Sequence, residues 1–137
     1  MTEAVKARPS GPRNINLSNI LFAYRLPAAG RVSILHRASG ALLFVFLPFL
    51  LYLLDKSLVS QLGFERLGEL MGNGLVKLIL AVLAWAYLHH FCAGVRHLLM
   101  DMHMGLEKSS SFKSALAVFV VSIPLALLVA AKIFGVF

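Results

Sequence analysis

The chain has 137 residues, of which 59% are hydrophobic and 14% charged, with a formal net charge of +7. Soluble domains average about 45–50% apolar and about 25% charged residues, so this composition excludes an ordinary soluble domain and indicates a membrane protein. The basic residues flank apolar segments instead of gathering on one helical face with interleaved aromatics, which argues against nucleic acid as the partner behind the charge.

The N-terminal stretch "MTEAVKARPSGPRNINLSN" lacks the apolar core of a secretory signal peptide. Glu3 and the shortness of the stretch also argue against a mitochondrial transit peptide. Pro9, Gly11 and Pro12 make it an extended strip, part of a cytoplasmic N-terminal segment 1–30 that lies along the membrane or a partner. Crossing a hydrocarbon core of about 30 Å takes roughly 20 helical residues. Residues 38–54 carry no charged side chain, which predicts a first membrane helix over about 31–54.

The loop that follows, "DKSLVSQLGFERLGELMGN", puts Leu58, Leu62, Leu70 and Met71 at near-helical spacing and predicts a short interfacial helix. Residues 78–95 are uncharged apart from any protonated histidine, and residues 114–131 are uncharged again. They predict membrane helices over about 74–100 and 113–136. Lipid offers no partner to a free backbone N–H or C=O, so helices are the default for such runs. The expected architecture is one all-α domain with three transmembrane helices.

Lys and Arg are retained on the cytoplasmic side of short loops. The first 37 residues hold Lys6, Arg8, Arg13, Arg25, Arg31 and Arg37 against Glu3 alone, whereas loop 55–73 holds two basic and three acidic residues. This places the N-terminus and the second loop in the cytoplasm, and the first loop and C-terminus outside.

Cys92 is the single cysteine, so neither a disulfide nor a cysteine metal site can be built within the chain. No phosphate-binding loop, dinucleotide fingerprint or nucleophile elbow is present. Chemistry therefore rests on histidines and arginines. In the second predicted helix, at about 100° per residue, His90, Gly94, His97 and Asp101 form one stripe, with His89 and Arg96 on a neighbouring face. An ionisable stripe is unfavourable in lipid and should face protein, water or a cofactor.

His90 lies about 16 Å from Asp101 along the axis, which puts it near mid-membrane if Asp101 marks the cytoplasmic surface. A neutral imidazole there suits an axial haem ligand, with Gly94 admitting a flat macrocycle. On spacing alone a second reading stands beside it: a histidine hydrogen-bonded to another helix, with Gly94 serving close packing. A bis-histidine haem needs a second ligand, and His36 and His97 are both expected nearer the cytoplasmic end, so a second subunit would supply it.

Ahead of the first helix, "RVSILHRASG" places Ser33, His36 and Arg37 at i, i+3 and i+4, on one surface at the cytoplasmic boundary. Arg37 offers a permanent charge and a fork of donors for a propionate or a carbonyl, and Ser33 a hydroxyl for a quinone oxygen. The bland alternative is that Ser33 caps the helix and the arginines snorkel to the interface, and Arg31 is read as such an anchor.

"SILHRASG" (33–40), followed by "HFCAGVRHLLMD" (90–101), resembles the cytochrome b556 membrane-anchor subunits of succinate dehydrogenase, the C subunits of respiratory complex II. The family patterns S-I-x-H-R-x-[ST]-G and H-x-x-x-G-x-R-H are both met. The start "RPSGPRNINL" follows its relatives only loosely, and His89 is an added neighbour of the second motif.

The resemblance implies that His90 is a haem b axial ligand and that the chain is half of a heterodimeric haem-binding bundle, the other ligand coming from a second membrane-anchor subunit. It also implies that Ser33 and Arg37 line a ubiquinone pocket, with Ile34 and Asp101 as pocket-edge candidates, and that His36 and Arg37, together with His97, lie near the haem propionates. An iron–sulfur subunit and a flavoprotein subunit would complete the assembly, in a bacterial inner membrane ahead of a mitochondrial one. Two other classes stay open at the level of sequence. One is the anchor of a quinol:fumarate reductase. The other is a non-enzymatic small membrane protein, such as an assembly factor or transporter subunit, in which the histidines pack or relay protons.

Overall fold

The computed structural model describes residues 26–136. The N-terminal strip up to residue 25, with the basic residues Lys6, Arg8, Arg13 and Arg25 used for orientation, lies outside them. The described residues form four helices and no strand: α1 (Ala28–Val59), α2 (Gln61–Gly72), α3 (Gly74–Asp101) and α4 (Lys108–Phe134). α1, α3 and α4 are long and apolar enough to cross a membrane, as expected, and α2 is the short helix of the first loop.

The long helices overrun the predicted spans. α1 opens on extended Pro27, whose carbonyl accepts from Arg31 N at 3.1 Å; a proline is tolerated there because its missing N–H has no role before the first turn. Ala28–Gly30 therefore belong to α1 and not to the N-terminal strip. At the other end the helix runs on through Asp55, Lys56 and Ser57, where Ser57 Oγ bonds Leu54 O at 2.7 Å and Asp55 pairs with Lys56 at 3.7 Å. Charge marks where water begins, and a helix can continue into water. At 1.5 Å per residue the 32 residues of α1 span about 48 Å, so the helix tilts or projects beyond the hydrocarbon core. By the same reasoning α4 begins at Lys108, ahead of the serines, instead of at residue 113. Its end comes at Gly135, which adopts the left-handed conformation at φ 73° that commonly closes helices.

Ser60 breaks α1 from α2 in an extended conformation, and its hydroxyl accepts from Gly63 N at 3.0 Å. The reversal is tight: a Cβ on Gly63 would stand 2.7 Å from the Lys56 carbonyl oxygen. Leu58, counted toward the loop helix from spacing, is in α1. Asn73 then caps α3, accepting from Leu75 N at 2.8 Å.

α3 is the central element and packs against α1, α2 and α4. Its interfaces are built from small residues. Val32, Ala93, Ala115 and Val118 form the buried cluster, flanked by Ala28, Ala29, Cys92 and Phe119. Small side chains let backbones approach where lipid supplies no hydrophobic drive between helices. α3 turns two faces to its neighbours: His90, Gly94 and His97 meet α1, while His89 and Arg96 are buried toward α4.

Candidate functional site

His90 is seated against α1 by three neighbours. Its Nδ1 lies 3.0 Å from the backbone carbonyl oxygen of His36 and 3.4 Å from Ser39 Oγ. Ser39, 2% exposed, donates to that same carbonyl at 3.0 Å. Gly40 supplies the room: a Cβ there would come within 2.8 Å of His90 Cε1 and 3.1 Å of Nδ1, closer than real Cβ atoms approach.

The carbonyl contact has a chemical consequence. A carbonyl oxygen only accepts, so the hydrogen of neutral His90 sits on Nδ1, and Nε2 keeps its lone pair. This is the arrangement common to metal-ligating histidines, in which one ring N–H is tied down and the other nitrogen is free to bind.

His36 lies against this stripe. Its ring stacks on His90 with centroids 4.1 Å apart and planes 12° from parallel. The ring of His97 lies 5.0 Å from that of His36, tilted by 50°, and His36 Nε2 lies 3.5 Å from where a Gly94 Cβ would be. The sequence placed His36 nearer the cytoplasmic end than His90. The structure brings the two rings together because α1 begins at Ala28, which carries His36 about 12 Å into the helix. The two imidazoles lie flat on one another and are not set with their nitrogens facing across a gap.

The remaining candidates share the same end of the molecule with less contact. Arg37 and Ile34 are exposed, Ser33 is half-buried, and Asp101 is exposed on the last residue of α3. None of the four makes a side-chain hydrogen bond or ion pair among the described residues. Ile34 is 48% exposed, an apolar side chain open beside Ser33 and Arg37. Among the described residues no three His, Cys, Asp or Glu side chains are grouped to hold a bare metal ion; a haem axial site asks for only one.

His89, adjacent to His90 in sequence, faces the other way. It is fully buried, between Trp85 at 5.7 Å and Phe119 at 5.6 Å between ring centroids. Neither of its nitrogens has a hydrogen-bond partner among the described residues. Arg96 is also buried, at 5% exposure. Its Nε donates to Ser114 Oγ at 3.0 Å and its Nη2 to Ser111 Oγ at 3.1 Å.

Sequence reasoning missed Ser39 and Gly40 as parts of the His90 seat, and Ser111 and Ser114 as partners of Arg96. A glycine inside a helix, beside a serine, was the available signal, since Gly is unfavourable in a helix interior unless something approaches closely.

Residues 8–129 match the family of succinate dehydrogenase/fumarate reductase transmembrane subunits. The succinate dehydrogenase cytochrome b556 subunit of Coxiella burnetii (strain RSA 493 / Nine Mile phase I) is 38% identical over 111 residues, covering 80% of this chain and 87% of its own. That of Paracoccus denitrificans is 34% identical over 115 residues, covering 84% and 88%. That of Rickettsia felis (strain ATCC VR-1525 / URRWXCal2) is 29% identical over 107 residues, covering 77% and 76%. Likeness over so much of the length, together with three long apolar helices, makes the chain a member of the succinate dehydrogenase/fumarate reductase transmembrane subunit family.

Proposed function

We propose that this chain is the haem b-binding membrane anchor of a succinate:quinone oxidoreductase, with His90 as one axial ligand and Ser33 and Arg37 as part of the ubiquinone site. The observation that carries the reading is the seat of His90: Nδ1 held by the His36 carbonyl at 3.0 Å, leaving Nε2 as a free donor to iron. The donor set therefore fits a b-type haem, which when bound supplies a one-electron carrier within the membrane. His36 and His97 sit beside that ring, where their nitrogens and the Arg37 guanidinium can meet propionates.

The second ligand falls to a partner anchor. α1 supports this, because its most apolar stretch has no buried residue, and Phe44 and Val45 stand 77% and 70% exposed. Such a face is covered by lipid or by another transmembrane subunit. An iron–sulfur subunit would deliver electrons at the end carrying Ser33, Arg37 and Asp101, and a flavoprotein subunit would oxidise succinate outside the membrane.

Quinone reduction places negative charge on the carbonyl oxygens. Arg37 stabilises that charge, Ser33 donates a hydrogen bond, and protons arrive from water at the same surface. We assign that surface to the cytoplasmic face of a bacterial inner membrane, with the N-terminus inside. The relatives' names favour the succinate-oxidising direction over fumarate reduction.

The test is a pair of measurements on the purified complex. A reduced-minus-oxidised spectrum should show a b-type band that His90→Ala abolishes. Arg37→Ala should lower succinate:quinone turnover at least tenfold while succinate oxidation with an artificial acceptor survives, the scale expected for removing one electrostatic stabiliser. A b band untouched by losing His90, or unchanged quinone turnover without Arg37, would overturn the respective assignment.

A further inference from the structure

Arg96 is a cation in an unusual position. It lies five residues from the end of α3, about 7.5 Å along the axis, a depth from which an arginine ordinarily snorkels to the interface. Here the side chain is 5% exposed and held toward α4 by Ser114 Oγ at 3.0 Å, Ser111 Oγ at 3.1 Å and the Ser111 carbonyl at 3.4 Å. All three acceptors are neutral. They meet the directional needs of Nε and Nη2 and leave the charge uncompensated, and no carboxylate pairs with Arg96 among the described residues. Ser114 is locked in the accepting role because its own hydroxyl donates to the Ser111 carbonyl at 3.1 Å. A desolvated guanidinium without a counter-charge is costly at this depth, so an anion from outside these helices is expected beside it.

The same residue lines a groove of about 510 Å³ between α3 and α4, within the range that holds an organic ligand. The groove is polar at one end only. Arg96, Ser110 and Ser114 stand near the α3–α4 turn, while Phe91, Ala117 and Val121 continue it toward mid-membrane. Lys108 and Lys113 are exposed at the same end of α4, and neither is paired with a carboxylate among the described residues.

We propose that this groove is a specific site for an anionic phospholipid, its phosphate on Arg96 and one acyl chain along Phe91, Ala117 and Val121. The charge is complementary, the polar end sits at headgroup depth, and the apolar end runs in the direction an acyl chain takes. Arg96 faces α4, away from the His90 stripe, so the site is separate from the proposed haem and quinone region.

The purified complex, exchanged into nanodiscs with equal phosphatidylglycerol and phosphatidylcholine and then extracted, reports the lipid it retains by mass spectrometry. Wild type should keep phosphatidylglycerol in preference to phosphatidylcholine. Arg96→Gln should lose that preference about tenfold, the effect of one charge-assisted contact, while Arg96→Lys retains most of it and the b-type spectrum stays unchanged in both. Ala117→Phe fills the groove and leaves Arg96 in place, so it should lower retention even if the Arg96 variants fail to assemble. Equal retention of the two lipids by wild type, undiminished preference in Arg96→Gln or Ala117→Phe, or displacement of the lipid by inorganic phosphate would each overturn the site.

Discussion

His89 and His90 are consecutive, nearly level in the membrane, and treated in opposite ways. His90 faces α1, where a glycine clears space for its ring and a backbone carbonyl takes one nitrogen. His89 is enclosed by Phe119 of α4 and by Trp85 of α3 itself, beside the Val32 backbone of α1, and neither nitrogen meets a hydrogen-bond partner among the described residues. The identity of the residue and its depth do not decide what a transmembrane histidine does. What decides it is whether the opposing helix supplies an acceptor for one nitrogen and room around the other, or only a snug apolar slot.

The largest effect expected from breaking this contrast comes on the α1 side. Gly40→Val places methyl groups where a single Cβ would already be 2.8 Å from His90 Cε1. The His90 ring must leave its seat, at a cost of about 1–3 kcal/mol for overpacking. The b-type band of the purified complex should be lost or broadened. A normal band in Gly40→Val would mean that the seat does not hold the iron ligand.

On the α4 side the corresponding test is Ser114→Ala, which strips Arg96 Nε of its acceptor. An unmet donor on a buried charged group costs about 1–3 kcal/mol or more. Thermal unfolding of the complex should shift down while the haem band keeps its position. A smaller loss, about 1 kcal/mol, is expected from Ser60→Ala, which removes the cap on Gly63 N. Faster hydrogen exchange confined to the first turn of α2 is its signature, and an unchanged exchange pattern there would show that the cap contributes nothing.

The long apolar runs made the three spans legible, and the i, i+4, i+7 stripe from His90 made the reactive face of α3 legible. The helix ends were not, because Asp55, Lys56 and Lys108 mark the reach of water and the backbone hydrogen bonds of a helix continue into it. The seat of His90 was not legible either. It depends on how closely α1 crosses α3, which Ser39 and Gly40 set through contacts between residues about fifty positions apart. Arg96 posed the same difficulty. Periodicity gives its face, and only the fold shows that face turned to Ser111 and Ser114.

The mildest change sharpens the contrast most. His89→Phe puts an apolar ring of similar shape between Trp85 and Phe119, in place of an imidazole whose Nδ1 and Nε2 are both buried and unpartnered among the described residues. Replacing unmet polar atoms by an apolar group of matching shape is near neutral or stabilising, so the unfolding midpoint should hold or rise slightly. The b-type band and quinone turnover should be those of the wild type, because the His36 carbonyl, Ser39 and Gly40 that seat His90 are unchanged. Loss of the band would mean that His89 reaches the iron, and that the opposed roles of the two neighbouring histidines have been assigned the wrong way round.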